Sequence, residues 1–146
     1  MGIRNSIMIV DDDLIIRTLL TNRLEAVGYS TTAAGDANEA LNQAEVLRPR
    51  LIVCDMHLPV WGSGGDVYEA IRKHQVLKAV PMIFITGLQF SKFKERYPAL
   101  FSDPKVRLLG KPINWLMLEQ AIFELIGESK PLRDKEKESG PTKPTA

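Results

Sequence analysis

Four short apolar runs in this chain each lead into a residue able to do chemistry. Asp11 and Asp12 follow residues 7–10, Asp55 follows residues 51–54, Thr86 follows residues 82–85, and Lys111 follows residues 106–109 after a single glycine. In an open parallel sheet, ligands bind at the C-terminal strand ends, and right-handed crossovers bring those ends together. These five residues therefore converge on one pocket. Three carboxylates a few ångströms apart repel one another unless a cation neutralises them, and hard oxygen ligands suit Mg²⁺ or Mn²⁺. Phosphoryl transfer to a carboxylate needs an exposed nucleophile, a cation across the phosphoryl oxygens and further donors for the remaining charge. In that scheme Asp55 is the nucleophile and the metal sits between it and the Asp11–Asp12 pair. Thr86 offers a hydroxyl, Lys111 supplies a fixed positive charge, and Gly87 leaves room beside the phosphoryl group.

Each residue also has an ordinary reading. The run of Asp11, Asp12 and Asp13 suits a helix cap, and for Asp13 that reading is preferred. Asp55 could be a solvated turn residue, Thr86 a loop cap and Lys111 a surface lysine. His74 reads as a helix-surface residue, and Trp115 as core packing rather than a partner surface.

The elements that must position these residues are strand–helix units repeated as far as Gly127, the signature of an α/β fold with a doubly wound, five-stranded parallel sheet flanked by about five helices. Ile16, Leu19, Leu20, Leu24 and Val27 recur at helical spacing, with Gly28 as a left-handed stop. Residues 30–34 form a weaker strand. Asp36 and Glu39 have the spacing of a capping box for a helix through Ala40, Leu41, Ala44 and Leu47, which Pro49 ends. Residues 51–54 are apolar without alternation, as a central strand covered on both faces requires. A loop containing Pro59, Gly62, Gly64 and Gly65 follows, and a third helix is expected from about Asp66. Pro98 falls inside the fourth helical pattern and must shorten or bend it. Asn114 caps a last helix, with Trp115, Leu118, Ile122 and Leu125 on its buried stripe.

With 146 residues, 45% hydrophobic and 25% charged, the chain has the balance of one globular domain. A net charge of +1 gives no global attraction to nucleic acid or anionic lipid. The single cysteine, Cys54, excludes an internal disulfide and a thiolate-rich metal site, and a buried, inert thiol in a reducing cytoplasm is expected. The apolar stretch near the N-terminus is too short for a signal peptide or membrane span. Residues 128–146 carry mixed charges, three prolines and almost no apolar side chains, so a disordered tail or the start of a linker is expected there.

The segments VDDD, IVCDMHLP, FITG and GKP occur in the order and spacing of response-regulator receiver domains, and over residues 1–127 the chain resembles that family. The resemblance implies a flavodoxin-like sheet of strand order 2-1-3-4-5. It implies a phosphoacceptor at Asp55, a direct metal ligand at Asp12, Asp11 acting mostly through water, and the backbone carbonyl of His57 as a further ligand. The His57 ring is then expected to face solvent. Thr86 and Lys111 would contact the phosphoryl group. The implied partners are a histidine kinase or phosphotransfer protein and a downstream protein target; from the near-neutral charge and the polar tail, no direct contact with nucleic acid or membrane is expected. A monomer or a phosphorylation-dependent dimer is expected.

The pattern departs from the family at Leu108, where receivers carry a switching aromatic three positions before the lysine, and at Leu88, where an apolar side chain cannot position a hydrolytic water. The loop WGSGGD also replaces a shorter acidic turn. Two rival readings remain. One is a haloacid-dehalogenase-like phosphatase with Asp11 as nucleophile and Asp13 as its acid, though no later acidic metal motif or substrate cap is visible. The other is a pseudo-receiver that binds proteins without cycling.

Overall fold

The computed structural model describes residues 6–58, 63–87 and 90–127. Five parallel strands, β1 (Ser6–Val10), β2 (Ser30–Ala34), β3 (Leu51–Asp55), β4 (Met82–Thr86) and β5 (Val106–Gly110), form one sheet in the order β2-β1-β3-β4-β5. The helices are α1 (Leu14–Ala26), α2 (Ala37–Leu47), α3 (Gly64–Lys73), α4 (Phe90–Arg96), α5 (Pro98–Phe101) and α6 (Trp115–Ile126). The fold and strand order are those expected from sequence. The described residues hold six helices rather than about five, because Pro98 lacks the N–H that a continuous fourth helix would need and instead starts α5 after a break at Tyr97.

Alternate residues of β1, β3, β4 and β5 feed two cores. On one face Ile7, Ile9, Val53, Ile83 and Ile85 meet α1 through Leu20 and Leu24, and α6 through Leu118 and Ile122. On the other, Met8, Val10, Cys54, Met82 and Phe84 meet Ala40 and Ala44 of α2, Val67 and Ile71 of α3, and Leu100 of α5. β1, β3 and β4 are buried along their full length, which is why their sequences run apolar without alternation. Burying one such aliphatic side chain contributes about 1.5–3 kcal/mol. β2 lies at the edge, is only partly buried, and reads weakly in sequence for that reason.

Local chemistry sets the helix ends. Asp13 caps α1 by accepting from Ile15 N at 2.9 Å, and Gly28 after it has φ 107°. Asp36 caps α2 by accepting from Glu39 N at 2.8 Å, but Glu39 reaches back to Gly35 N rather than to the cap itself, so only half of the expected box forms. Asn114 caps α6 through Met117 N at 3.0 Å.

One sequence expectation is corrected. Helix α3 starts at Gly64, two residues before Asp66, because Ser63 and Asp66 make a full capping box. Gly64 and Gly65 thus belong to the helix and not to the preceding loop. Leu19 is half exposed, since the buried stripe of α1 narrows to Leu20 and Leu24, and Leu47 faces outward at the last turn of α2. Pro59, Trp61, Gly62, Leu88 and the tail 128–146 lie outside the described residues. No helix among the described residues is long and apolar enough to cross a membrane.

Candidate functional site

Strand register assembles the site. Val10 pairs with Cys54, so the next residues, Asp11 and Asp55, emerge side by side from neighbouring strands. On the other side Thr86 pairs with Gly110, which sets Lys111 one step beyond, and Lys111 N donates to the Thr86 carbonyl at 2.9 Å. Carboxylate oxygens of Asp11, Asp12 and Asp55 lie within 4.8 Å of one another. Lys111 Nζ is 3.3 Å from Asp55 Oδ2, while Asp55 Oδ1 accepts from His57 N at 3.0 Å. Asp11 and Asp55 are buried and Asp12 is exposed, so the cluster opens to solvent on the Asp12 side.

Gly64 lets α3 approach this edge. A Cβ there would lie 2.7 Å from the Asp55 carbonyl and 2.9 Å from Met56 Cα, positions a real side chain cannot take without moving the strand end. Gly87 is different: among the described residues a Cβ would meet only Lys111 Cδ, at an ordinary 3.8 Å.

The electrostatics follow from crowding. Burial pushes the Asp11 pKa up from 3.8 to about 6, the Asp13 N–H and Lys111 oppose it, and the charges of Asp55 and Asp12 add to it. A buried carboxyl driven toward neutrality beside two other acids, with one lysine as counter-charge, has the donor set that a hard divalent cation fits. Burial also raises the Cys54 thiol pKa, so this residue is the inert thiol expected from sequence.

The structure therefore brings together Asp11, Asp12, Asp55 and Lys111, with Thr86 buried on the adjoining strand end. Asp13 stays out of the cluster, its carboxylate spent on the α1 cap. The His57 backbone borders the acids, and its exposed ring packs edge-on against Phe93 at 5.0 Å. His74 accepts two backbone N–H bonds after α3 and meets Glu45. Trp115 is partly buried against the α1–α6 core with Arg23 stacked over it.

Residues 7–122 match the family described as response regulator receiver domain. The chain belongs to that family. Receivers of two-component systems are signalling switches worked by phosphorylation of an aspartate, not enzymes that turn over a metabolite. The curated relatives include the alkaline phosphatase synthesis transcriptional regulatory protein PhoP of Bacillus subtilis, 37% identical over 86 residues, which are 59% of this chain and 35% of that protein. They also include the DNA-binding response regulator MtrA of Mycobacterium bovis, 34% identical over 84 residues, covering 58% of this chain and 35% of MtrA. This receiver thus spans about a third of the length of the curated relatives it matches. Among solved structures, chemotaxis protein CheY4 of Vibrio cholerae is 27% identical with a TM-score of 0.73, over 82% of this chain and 97% of that one. The receiver domain of a sensor histidine kinase from Pseudomonas aeruginosa, solved with a magnesium ion coordinated in its active site cleft, is 26% identical with a TM-score of 0.73, over 85% and 98%.

Sequence reasoning missed two residues of this receiver. Arg17 donates from Nη1 to the Asp11 carbonyl at 2.8 Å. Tyr97, buried between α4 and α5, bonds through its hydroxyl to Ser63 Oγ and Asp66 Oδ1, both at 2.9 Å, and its ring lies against Gly65. Arg17 follows an acidic run at one-turn spacing, a weak signal. Nothing in the local sequence announces Tyr97, since its partners are more than thirty residues away. The position of the usual switching aromatic holds Leu108, half-buried on the α2–α3 face of the sheet.

Proposed function

We propose that this receiver accepts a phosphoryl group on Asp55 from a histidine kinase or phosphotransfer protein in the cytoplasm, and that the modification alters a surface read by a downstream protein. The observation that carries the reading is the meeting of three carboxylates with Lys111 at the C-terminal strand edge. Asp11, Asp12, Asp55 and the His57 carbonyl would hold Mg²⁺ or Mn²⁺. When bound, such an ion neutralises the acids and the phosphoryl oxygens.

The chain's own residues do the rest. A carboxylate oxygen of Asp55 forms a bond to phosphorus as the donor's phosphorus–nitrogen bond breaks, its electron pair leaving with the imidazole nitrogen. The His57 N–H on Oδ1 fixes the carboxylate plane, and the Lys111 ammonium beside Oδ2 meets the charge arriving on the phosphoryl oxygens. The Thr86 hydroxyl then turns toward the phosphoryl group. With Leu108 in place of a ring, that movement passes to β5 and α4 without an aromatic reporter. An apolar Leu88 makes the phosphoryl group long-lived, and Leu88→Glu shortens its lifetime.

Incubation with Mg²⁺ and acetyl phosphate, followed by intact mass, tests the proposal. Wild type gains one phosphoryl group and Asp55→Asn gains none. Equal gain in both places the acceptor elsewhere, and loss of p-nitrophenyl phosphate turnover in Asp11→Asn would favour the phosphatase reading instead.

A further inference from the structure

Asp11 is held at three points. Its N–H donates to the Ala34 carbonyl at 3.1 Å, its Oδ1 accepts from Asp13 N at 2.9 Å, and its carbonyl accepts from Arg17 Nη1 at 2.8 Å. We infer that Arg17 is a positioning residue for the metal-binding acids, fixing the Asp11 backbone so that its carboxylate stays aimed at the cation shared with Asp12 and Asp55. The inference rests on the metal-dependent reading proposed above.

Arg17 lies in the first turn of α1, its own N–H bonded to the Asp13 carbonyl at 3.0 Å. Its guanidinium reaches across to the turn between β2 and α2. A Cβ on Gly35 would fall 2.8 Å from Nη1 and 3.6 Å from Cζ, so the guanidinium occupies the space a side chain would need. Gly35 N in turn donates to Glu39 Oε1 at 2.8 Å, which fixes the turn from its far side. Both the N–H and the carbonyl of Asp11 are thereby tied to one rigid corner, the N–H through Ala34 and the carbonyl through Arg17 lying against Gly35. Without the guanidinium the carbonyl swings free, and with it the orientation of the Asp11 and Asp12 carboxylates. Partners that orient ligands from outside typically govern 10–100-fold in metal affinity, and the two remaining ties on Asp11 place the effect near roughly 10-fold.

Calorimetric Mg²⁺ titration, with no phosphodonor present, tests this on wild type, Arg17→Met, Arg17→Lys, Gly35→Ala and the Arg17→Met/Gly35→Ala double variant. The expected result is roughly 10-fold weaker Mg²⁺ binding in Arg17→Met and a smaller loss in Arg17→Lys, which keeps one donor. Gly35→Ala should weaken binding in wild type by displacing the guanidinium and add nothing once Arg17 is gone. Phosphorylation of Arg17→Met should recover at saturating Mg²⁺. Unchanged Mg²⁺ affinity in a folded Arg17→Met protein overturns this inference alone, as does a Gly35→Ala loss of equal size in both backgrounds. A wild-type chain that takes up no Mg²⁺ overturns the metal-site reading as well. If Arg17→Met does not fold, unchanged affinity in both Arg17→Lys and Gly35→Ala overturns the inference.

Discussion

Lys111 Nζ stands 3.3 Å from Asp55 Oδ2, the carboxylate almost fully buried and the lysine reaching it from the solvent side. The pair joins the ends of strands that are not neighbours in the sheet, with β4 and Thr86 between them. Lys111→Met removes the only ammonium paired with the acids among the described residues. Phosphorylation by acetyl phosphate should slow by roughly 100-fold, as for loss of one donor to a developing oxyanion. Mg²⁺ binding should tighten, because a competing cation is gone. A rate equal to wild type, read by intact mass over time, would remove Lys111 from the mechanism.

Asp11 carries the cost of crowding. Replacing it by Asn keeps an acceptor for the Asp13 N–H and removes one buried like charge. Urea melts without metal at neutral pH should show Asp11→Asn more stable by about 2 kcal/mol, the order set by its raised pKa. Added Mg²⁺ should stabilise wild type by about 2.7 kcal/mol at a hundredfold excess over its Kd, and the variant by much less. Equal response of the two proteins to Mg²⁺ would show that Asp11 is no part of a metal site.

Tyr97 ties the α4–α5 break to the cap of α3. Tyr97→Phe deletes the hydroxyl shared by Ser63 and Asp66 and should cost about 1–2 kcal/mol. Gly65→Ala drives a methyl group into the Tyr97 ring and should cost about 1–3 kcal/mol. Added to Tyr97→Ala, where the ring is absent, the glycine substitution should cost far less. Additive costs in the double-mutant cycle would show that the ring and the glycine do not constrain each other.

Asp103 supplies the acid dependence. Its burial would raise its pKa, but bonds from Arg72 Nε, Lys105 N and the Tyr68 hydroxyl outweigh that and hold it below the ordinary 3.8. A depressed carboxylate gives stability that is full above the unfolded pKa and lost as pH falls through the folded one. Asp103→Asn should therefore cost about 2 kcal/mol at neutral pH, a charge-assisted bond being worth about that much. The gap between variant and wild type should begin to close only below pH 3.8. A gap independent of pH would mean that the Asp103 charge adds nothing to the bonds.

How much of this was legible beforehand depends on the range of the interaction. The apolar runs 51–54 and 82–85 declare themselves as central strands because both faces of such strands are buried, and hydrophobic burial acts on every residue of the run. The caps at Asp13, Asp36 and Asn114 are legible because each side chain bonds a backbone N–H two or three residues away. The start of α3 lies two residues before the position the sequence suggests, since the pair of glycines at 64 and 65 resembles a loop until the Ser63–Asp66 box and the close approach of Asp55 and Tyr97 are known.

The amino-acid sequence alone determined the fold class, the strand order through family resemblance, and the identity of the acids and the lysine at the strand ends, because periodicity and strand-end position are local properties of a chain. Only the tertiary structure decided that Arg17 grips the Asp11 carbonyl and that Tyr97 closes on Gly65. Those facts depend on the directions of side chains from different elements. Packing of two sheet faces at crystal-like density fixes these directions, and no local pattern encodes them.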